Sequence, residues 1–225
     1  MDRPSSGEMV ATHIQRAVTT GEYRPGERIR QDEIATDLGV SRIPVREALV
    51  ALEREGWVTV EPHRGAYVIG LDVDFVRDHF EVHGAIVGLM ATRVIERADA
   101  DARQRLLDAA AAVVDAPDDP AVFNRLTYAY VDALERAAAA PRLTSMTRVT
   151  ANLYPGNFFA EVPGAMARER EGVAAIADAI AAGDAARAAD ECDHMTRDLG
   201  EVLISVLQAR GVFDAPDDAA AVTTG

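Results

Sequence analysis

The stretch Ile34-Ala35-Thr36-Asp37-Leu38-Gly39-Val40-Ser41-Arg42-Ile43-Pro44-Val45-Arg46-Glu47-Ala48-Leu49 decides the fold of the first third of the chain. Ile34, Ala35 and Leu38 fall on one face of a short helix predicted from Gln31 to Leu38, and Gly39 stands where a left-handed C-terminal cap is needed. Gly39-Val40-Ser41 is then a tight turn. Beyond it, a helix predicted from Ser41 to Glu55 carries Val45, Ala48, Leu49 and Leu52 at the spacing of one buried face. Pro44 is tolerated in its first turn, where a missing N–H breaks no helical bond. Arg42 and Arg46 are four apart and point the other way. Two helices held by such a turn form a helix-turn-helix, whose second helix enters the DNA major groove with its first side chains reaching base edges.

Upstream, a helix is predicted from Ser6 to Thr20, with Val10, Ile14, Ala17 and Val18 on one face and Gly21 as its stop. The turn Tyr23-Arg24-Pro25-Gly26-Glu27 follows it. Downstream of Gly56 the pattern changes: Trp57-Val58-Thr59-Val60 and Ala66-Tyr67-Val68-Ile69 flank Glu61-Pro62-His63-Arg64-Gly65, which predicts a small β-hairpin, a wing. His63 and Arg64 lie at its tip, where Gly65 permits close backbone approach to a minor groove or to flanking phosphates. Ser41 and the free N–H groups at the start of the reading helix suit a phosphate. An arginine beside them suits either phosphate or guanine, each of which it can pair in bidentate fashion. For an arbitrary helix, Arg42 and Arg46 would be read as solvated charges; the turn and the wing favour the DNA reading.

The rest of the chain has another character. Gly70-Leu71-Asp72-Val73-Asp74 reads as a junction with an aspartate placed to cap the next helix. From there to Arg210 only helical signals occur, over 74–98, 101–115, 120–139, 142–153, 163–182 and 184–210, broken by Pro117, Pro141, Pro155, Pro163 and Gly183. The fold class is therefore mostly α: a winged helix-turn-helix over 1–70, an all-α helical bundle over 71–212, and an acidic tail over 213–225 read as disordered.

With 225 residues, 48% of them hydrophobic and 27% charged, there is chain enough for two cores. No apolar run approaches the roughly 18 to 20 residues a bilayer span needs, so no membrane association and a cytoplasmic location are expected. Cys192 is the single cysteine, without an internal disulfide partner or a CxxC motif, and reads as an inert thiol. The net charge of −14 is wrong for a phosphate binder until it is divided. Residues 1–70 hold 9 arginines against 11 acids, whereas residues 71–225 hold 14 against 26, so the acidity belongs mainly to the helical segment. All 23 basic residues are arginine, the side chain best shaped for phosphate and guanine.

Four blocks in order carry a specific resemblance: Gly21-Glu22-Tyr23-Arg24-Pro25-Gly26-Glu27-Arg28-Ile29; the stretch from Ile34 to Leu49; Leu52-Glu53-Arg54-Glu55-Gly56-Trp57-Val58; and Arg64-Gly65-Ala66-Tyr67-Val68. Residues 14–69 resemble the DNA-binding domain of the GntR family of bacterial regulators. That resemblance implies that Arg42 and Arg46 are the principal base or phosphate readers, supported by Ser41, Ile43, Pro44 and the wing residues His63, Arg64 and Gly65. One departure is Asp32, which stands where the fatty-acid regulator of the family has a DNA-contacting arginine.

The helical segment resembles, in helix number, length and spacing, the effector-binding and dimerisation domain of the FadR subfamily, of the FCD type. Many members hold a divalent metal there through Asp-x-x-x-His and two further histidines. Aligning on Leu134, Pro141 and Leu143, and on Ala179-Ile180 and Gly183-Asp184, puts the four ligand positions at Thr127, Val131, Val173 and Met195. Valine cannot ligate, and a lone hydroxyl and thioether bind such ions poorly. No metal or other cofactor is expected, and these four positions are expected to line whatever cavity remains. A register error of one would turn attention to Asp190 and His194, which otherwise read as an exposed helix pair. His83 replaces an arginine common in this domain and lies on the stripe Val76, Phe80, Val87, Met90 and Val94, as a hydrogen-bonded core histidine or a pocket residue. Arg125, Tyr128 and Tyr130 flank the lost site and cannot all face one pocket.

The expectation is a DNA-binding regulator, a homodimer on a short palindromic stretch of double-stranded operator DNA, with a small-molecule effector in the helical domain. Its rivals are a constitutive DNA-binding dimer without effector and an all-α enzyme with a DNA-targeting domain. Against catalysis, no nucleophile, base and orienter recur in recognisable order, and there is no phosphate loop.

Overall fold

In the computed structural model, which describes residues 5–62, 64–150 and 158–213, the chain divides into two units. One comprises the chain up to Val73 together with residues from Leu207 onward, and the other spans Asp74–Val206.

The first unit begins with α1 (Ser6–Thr19), started by a reciprocal cap. Glu8 N donates to Ser5 Oγ at 3.2 Å, and Ser5 N donates to the Glu8 carboxylate at 2.7 Å, so two otherwise orphaned N–H groups are satisfied. Val10, Ile14, Ala17 and Val18 form its buried face. The helix-turn-helix pair is α2 (Gln31–Asp37) and α3 (Arg42–Arg54), with Gly39 at φ +64° in the turn between them. Val45, Ala48, Leu49 and Leu52 of α3 are buried as the spacing predicts. The wing strands are β2 (Val58–Glu61) and β3 (Gly65–Val68), antiparallel, with Val58 opposite Val68 and Glu61 opposite Gly65.

A third strand, β1 (Arg28–Ile29), pairs with the outer edge of β3, placing Arg28 opposite Tyr67, so the sheet order is β1-β3-β2. Two residues are too short a run to show alternation, and the sequence reading assigned no element there. Gly26 and Gly70 bracket this edge: Gly26 N donates to Val68 O at 2.8 Å, and a Cβ on Gly70 would strike the Pro25 ring.

The second unit is helical throughout its described residues: α4 (Val73–Arg97), α5 (Ala100–Val114), α6 (Pro120–Ala138), α7 (Pro141–Thr150), α8 (Phe158–Glu161), α9 (Ala165–Ala182) and α10 (Ala185–Ala209). Five of the six predicted helices agree within two residues, but α7 is described only to Thr150, because 151–157 lie outside the described residues. Two details differ from expectation. Phe158–Glu161 forms a short helix of its own, burying Phe158 and Phe159, and α9 starts at Ala165 because Gly164 adopts φ +90°. Asp99 and Asp119 cap α5 and α6 through their side chains, and Ala139, left-handed at φ 48°, ends α6.

The two long helices α4 and α10 touch through glycines. A Cβ on Gly88 would lie 3.1 Å from the Ala189 carbonyl oxygen and 3.2 Å from its Cα, while Gly200 leaves room for the Phe80 ring. Arg77 Nε donates to Glu201 Oε1 at 2.7 Å and Arg77 Nη2 to Oε2 at 3.3 Å on the rim of the same contact. No helix among the described residues is long and apolar enough to cross a membrane. The predicted tail is described only at Phe213; residues 214–225, like His63 at the wing tip, lie outside the described residues.

Candidate nucleic-acid interface and helical-domain cavity

The apolar face of α3 fixes which side chains it presents outward. Arg42, Ile43 and Arg46 are exposed in its first two turns, and Ile43, at 68% exposure, is the most exposed of the large hydrophobic side chains described. An uncovered isoleucine at the start of a helix otherwise buried on its apolar side suits a thymine methyl group. Ser41 is the N-cap, with an extended backbone and no capping hydrogen bond, so its hydroxyl is not committed to the helix. Pro44 is half-buried in the first turn.

Arg28, Arg30, Asp32, Arg42, Arg46 and Gly65 border one surface concavity, which brings the reading helix and the loop end of the wing together. The arginines of the concavity and of the wing are not equivalent. Arg42 Nε lies 2.6 Å from Asp32 Oδ1, Arg30 Nη1 is 2.9 Å from Glu33 Oε1, and Arg64 Nη1 is 2.6 Å from Glu61 Oε2. Among the described residues Arg28 and Arg46 make no ion pair. Gly65, at φ +117°, lets Arg28 in: a Cβ there would come within 3.0 Å of Arg28 Nε. Arg28 and Arg30 were missing from the sequence expectation. The signal that would have found them is their place just before α2 on a strand edge, which only the β1 pairing reveals.

The second site is a cavity of about 350 Å³ within the helical unit. Thr127, Val131 and Met195 line it, and so does His83. Val173 does not: it is fully buried in α9, and Glu169, one turn earlier on the same face, lines the cavity instead. The spacing is a helical turn of four residues, so a wall expected at Val173 has been taken by its i−4 neighbour. Tyr128 and Tyr130 both line the cavity and Arg125 does not.

These groups have unusual chemistry. Burial pushes the Glu169 carboxyl up to about 7, and among the described residues no side chain bonds to it. Burial, and then the neighbouring His79, lowers His83 to about 4, so it is a neutral imidazole, its Nδ1 2.8 Å from Thr150 Oγ1. It is therefore both hydrogen-bonded and a pocket residue. The Tyr130 hydroxyl and the Thr127 Oγ1 are buried without a hydrogen-bond partner. Unpaired buried polar atoms cost about 1–3 kcal/mol each and call for a partner. Cys192 is buried, its thiol pushed up to about 12, which suits the inert reading.

A divalent metal does not fit this wall. The positions that supply ligands in the resembled subfamily bring a hydroxyl, a hydrocarbon and a thioether to the cavity, and the nearest imidazole is turned to Thr150. Asp190 and His194 are exposed, and among the described residues no three His, Cys, Asp or Glu side chains converge.

Comparison with known proteins places this geometry. An HTH-type transcriptional regulator of Mycobacterium tuberculosis (strain H37Rv) is 34% identical over 155 residues, covering 68% of this chain and 62% of that protein. A second, from the ttuE-ttuC' intergenic region of Agrobacterium vitis, is 31% identical over 137 residues, or 59% of this chain and 70% of its own length. The chain thus spans a little under two thirds of the mycobacterial relative. Among solved structures, the fold matches Escherichia coli McbR/YncC at a TM-score of 0.59 and 17% identity, over 92% of this chain and 99% of that one. Residues 6–68 match the bacterial regulatory proteins of the gntR family, and residues 78–198, more than half of the chain, match the FCD domain. With a helix-turn-helix and wing in the first segment and a helical bundle in the second, the chain belongs to the GntR family of regulators with an FCD domain.

Proposed function

We propose that the chain is a DNA-binding transcriptional regulator that acts as a homodimer on a short, two-fold symmetric operator and answers to a small molecule held in its helical unit. One observation carries the DNA reading: Arg42 and Arg46 stand on the exposed face at the start of α3, on the same concavity as Gly65 at the loop end of the wing. Arg46 reads a base or phosphate with its full fork, Ile43 packs on a thymine methyl, and Ser41 with the first N–H groups of α3 holds a phosphate. Arg28 and the wing residues His63, Arg64 and Gly65 extend the contact along the backbone. A single reading helix specifies only a few base pairs, so paired half-sites are required for useful specificity.

Effector control follows from differential affinity: a ligand that binds better to one arrangement of the dimer than the other shifts the population toward it. The cavity lined by His83, Thr127, Val131 and Met195, with its two unsatisfied buried hydroxyl groups, is where that ligand sits. The domains proposed are the reader over 1–70 and the effector domain over 71–212.

Selection from a pool of randomised duplexes, with sedimentation of the complex, tests this reading. Enrichment of an inverted repeat bound by two chains is expected. Enrichment of a single half-site bound by one chain would overturn the dimer, and no enrichment of any sequence would overturn the reader.

A further inference from the structure

The cavity in the helical unit has the wrong charge for an anion. Its titratable lining among the described residues is Asp132, Glu135, Glu169 and His83, with no arginine. Asp132 is at the exposed mouth and is paired with Arg136 at 2.8 Å. Glu135 is half-buried and accepts from Thr147 Oγ1 at 3.3 Å. Glu169 is different: only 5% exposed, it faces the cavity with no bond from any described side chain. The same wall carries four aromatic rings, Tyr128, Tyr130, Phe158 and Phe159.

A buried carboxyl without a partner is costly in its charged form and is held neutral by that cost. The partners that would repay it are a cation with N–H donors or a neutral donor. No cation stands in the described wall, where His83 is a neutral imidazole turned to Thr150, and Glu169 takes no bond from the hydroxyl groups there. A ligand carboxylate or phosphate would add a like charge beside Glu169 and Glu135 in a poorly solvated space. An ammonium group would instead donate a charge-assisted bond to the Glu169 carboxylate and be attracted to the ring faces of the aromatics. The unsatisfied Tyr130 hydroxyl and Thr127 Oγ1 offer two further bonds beside it.

We infer that the cavity of the helical unit binds a small organic amine, its ammonium group on Glu169 and its apolar body among Met90, Val87, Phe158 and Phe159. This rests on the reading of the same cavity as the effector site. The volume of about 350 Å³ lies at the small end of ligand sites. The positively charged ligand turns Glu169 from a neutral acid into a carboxylate, so binding near neutral pH releases a proton from the protein.

Isothermal titration of the full chain at pH 6.5, in two buffers of different ionisation enthalpy, tests the inference with three matched probes: 2-phenylethylamine, 2-phenylethanol and 3-phenylpropionate. The amine alone is expected to bind with release of a proton. Glu169→Gln should weaken it on the order of tenfold to a hundredfold, the loss of one charge-assisted bond, and should abolish the proton release. Tyr130→Phe, which keeps the ring, should weaken it by a smaller factor. Met195→Trp, which fills the cavity, should abolish binding. Equal or tighter binding of the alcohol or the carboxylate, blocked by Met195→Trp, would overturn the amine assignment and leave the effector site standing. Amine binding unaffected by Glu169→Gln would overturn the role of that carboxyl. Binding of none of the three would overturn both the amine and the cavity as an effector site.

Discussion

The reading surface and the helical cavity treat charge in opposite ways. Around α3, arginines and acids stand in water on the surface, three of the arginines each in contact with a single carboxylate. Inside the helical unit a carboxyl is sealed among apolar and aromatic side chains with no counter-ion in the described wall. Exposed pairs of the first kind are worth little to stability, about 0–1 kcal/mol, and are easily exchanged for phosphate. The isolated buried acid is worth a great deal, with unfavourable sign, until something binds it. One region is thus built to trade its partners quickly, and the other to wait for one.

The largest test of that contrast is Arg46→Ala. Losing a bidentate base contact costs about 1–3 kcal/mol in each half-site, so a symmetric operator should be bound at least about thirtyfold more weakly. The melting temperature should stay put, because the side chain lies on the outer face of α3. Gel-shift titration beside calorimetry separates the two; unchanged operator affinity would remove Arg46 from the reading surface.

The next test concerns Glu169 itself. Its carboxyl is held at about 7 in the folded protein against an ordinary 4.5, so the fold favours the protonated form. The stability from this preference is fully present below about 4.5 and is lost as pH rises through 7. The difference amounts to at most about 3 kcal/mol. Glu169→Gln, permanently neutral, should therefore match the parent near pH 4 and exceed it at pH 8 in urea denaturation. An equal loss at both values would mean that Glu169 has a bonding partner in the fold.

How much of this was legible follows from how each site is assembled. Arg42 and Arg46 are set by spacing within one helix, and the turn that aims that helix is contiguous with it, so a short window contains the answer. The cavity draws on α4, α6, α7, α8, α9 and α10. Its walls at Thr127, Val131 and Met195 were reached only by alignment to a resembled domain. Glu169 nevertheless left a trace: it falls on the stripe Ala165, Val173, Ile176, Ala179 and Ile180, where a charge interrupts an otherwise buried face. Nothing local distinguishes that pattern from a rim residue with a snorkelling side chain. The strand β1 was illegible for a related reason, since two residues become a strand only when β3 is beside them.

A third prediction tests the packing of α4 against α10, two of the helices that wall the cavity. Gly88→Ala puts a methyl 3.1–3.2 Å from backbone atoms of Ala189, which cannot swing aside as a side chain would. Separating α4 from α10 should cost about 1–3 kcal/mol, even though alanine is the better helix former. Thermal denaturation at neutral pH measures it, and a gain in stability would show that the two helices adjust freely.

The smallest expected effect is on the reading surface, at Asp32. Its carboxylate holds Arg42 Nε at 2.6 Å on the proposed reading surface. The same carboxylate brings a negative charge to a surface that must approach phosphates, so it opposes nonspecific binding while orienting one reader. Asp32→Ala should therefore raise affinity for random-sequence duplex a few-fold at low salt and steepen the salt dependence by about one released counterion. Discrimination between operator and random duplex should narrow, because Arg42 then turns freely toward any phosphate. If random-sequence affinity falls instead, Asp32 contributes a contact of its own, such as acceptance from a cytosine amino group. The pair would then be a base reader in both its members.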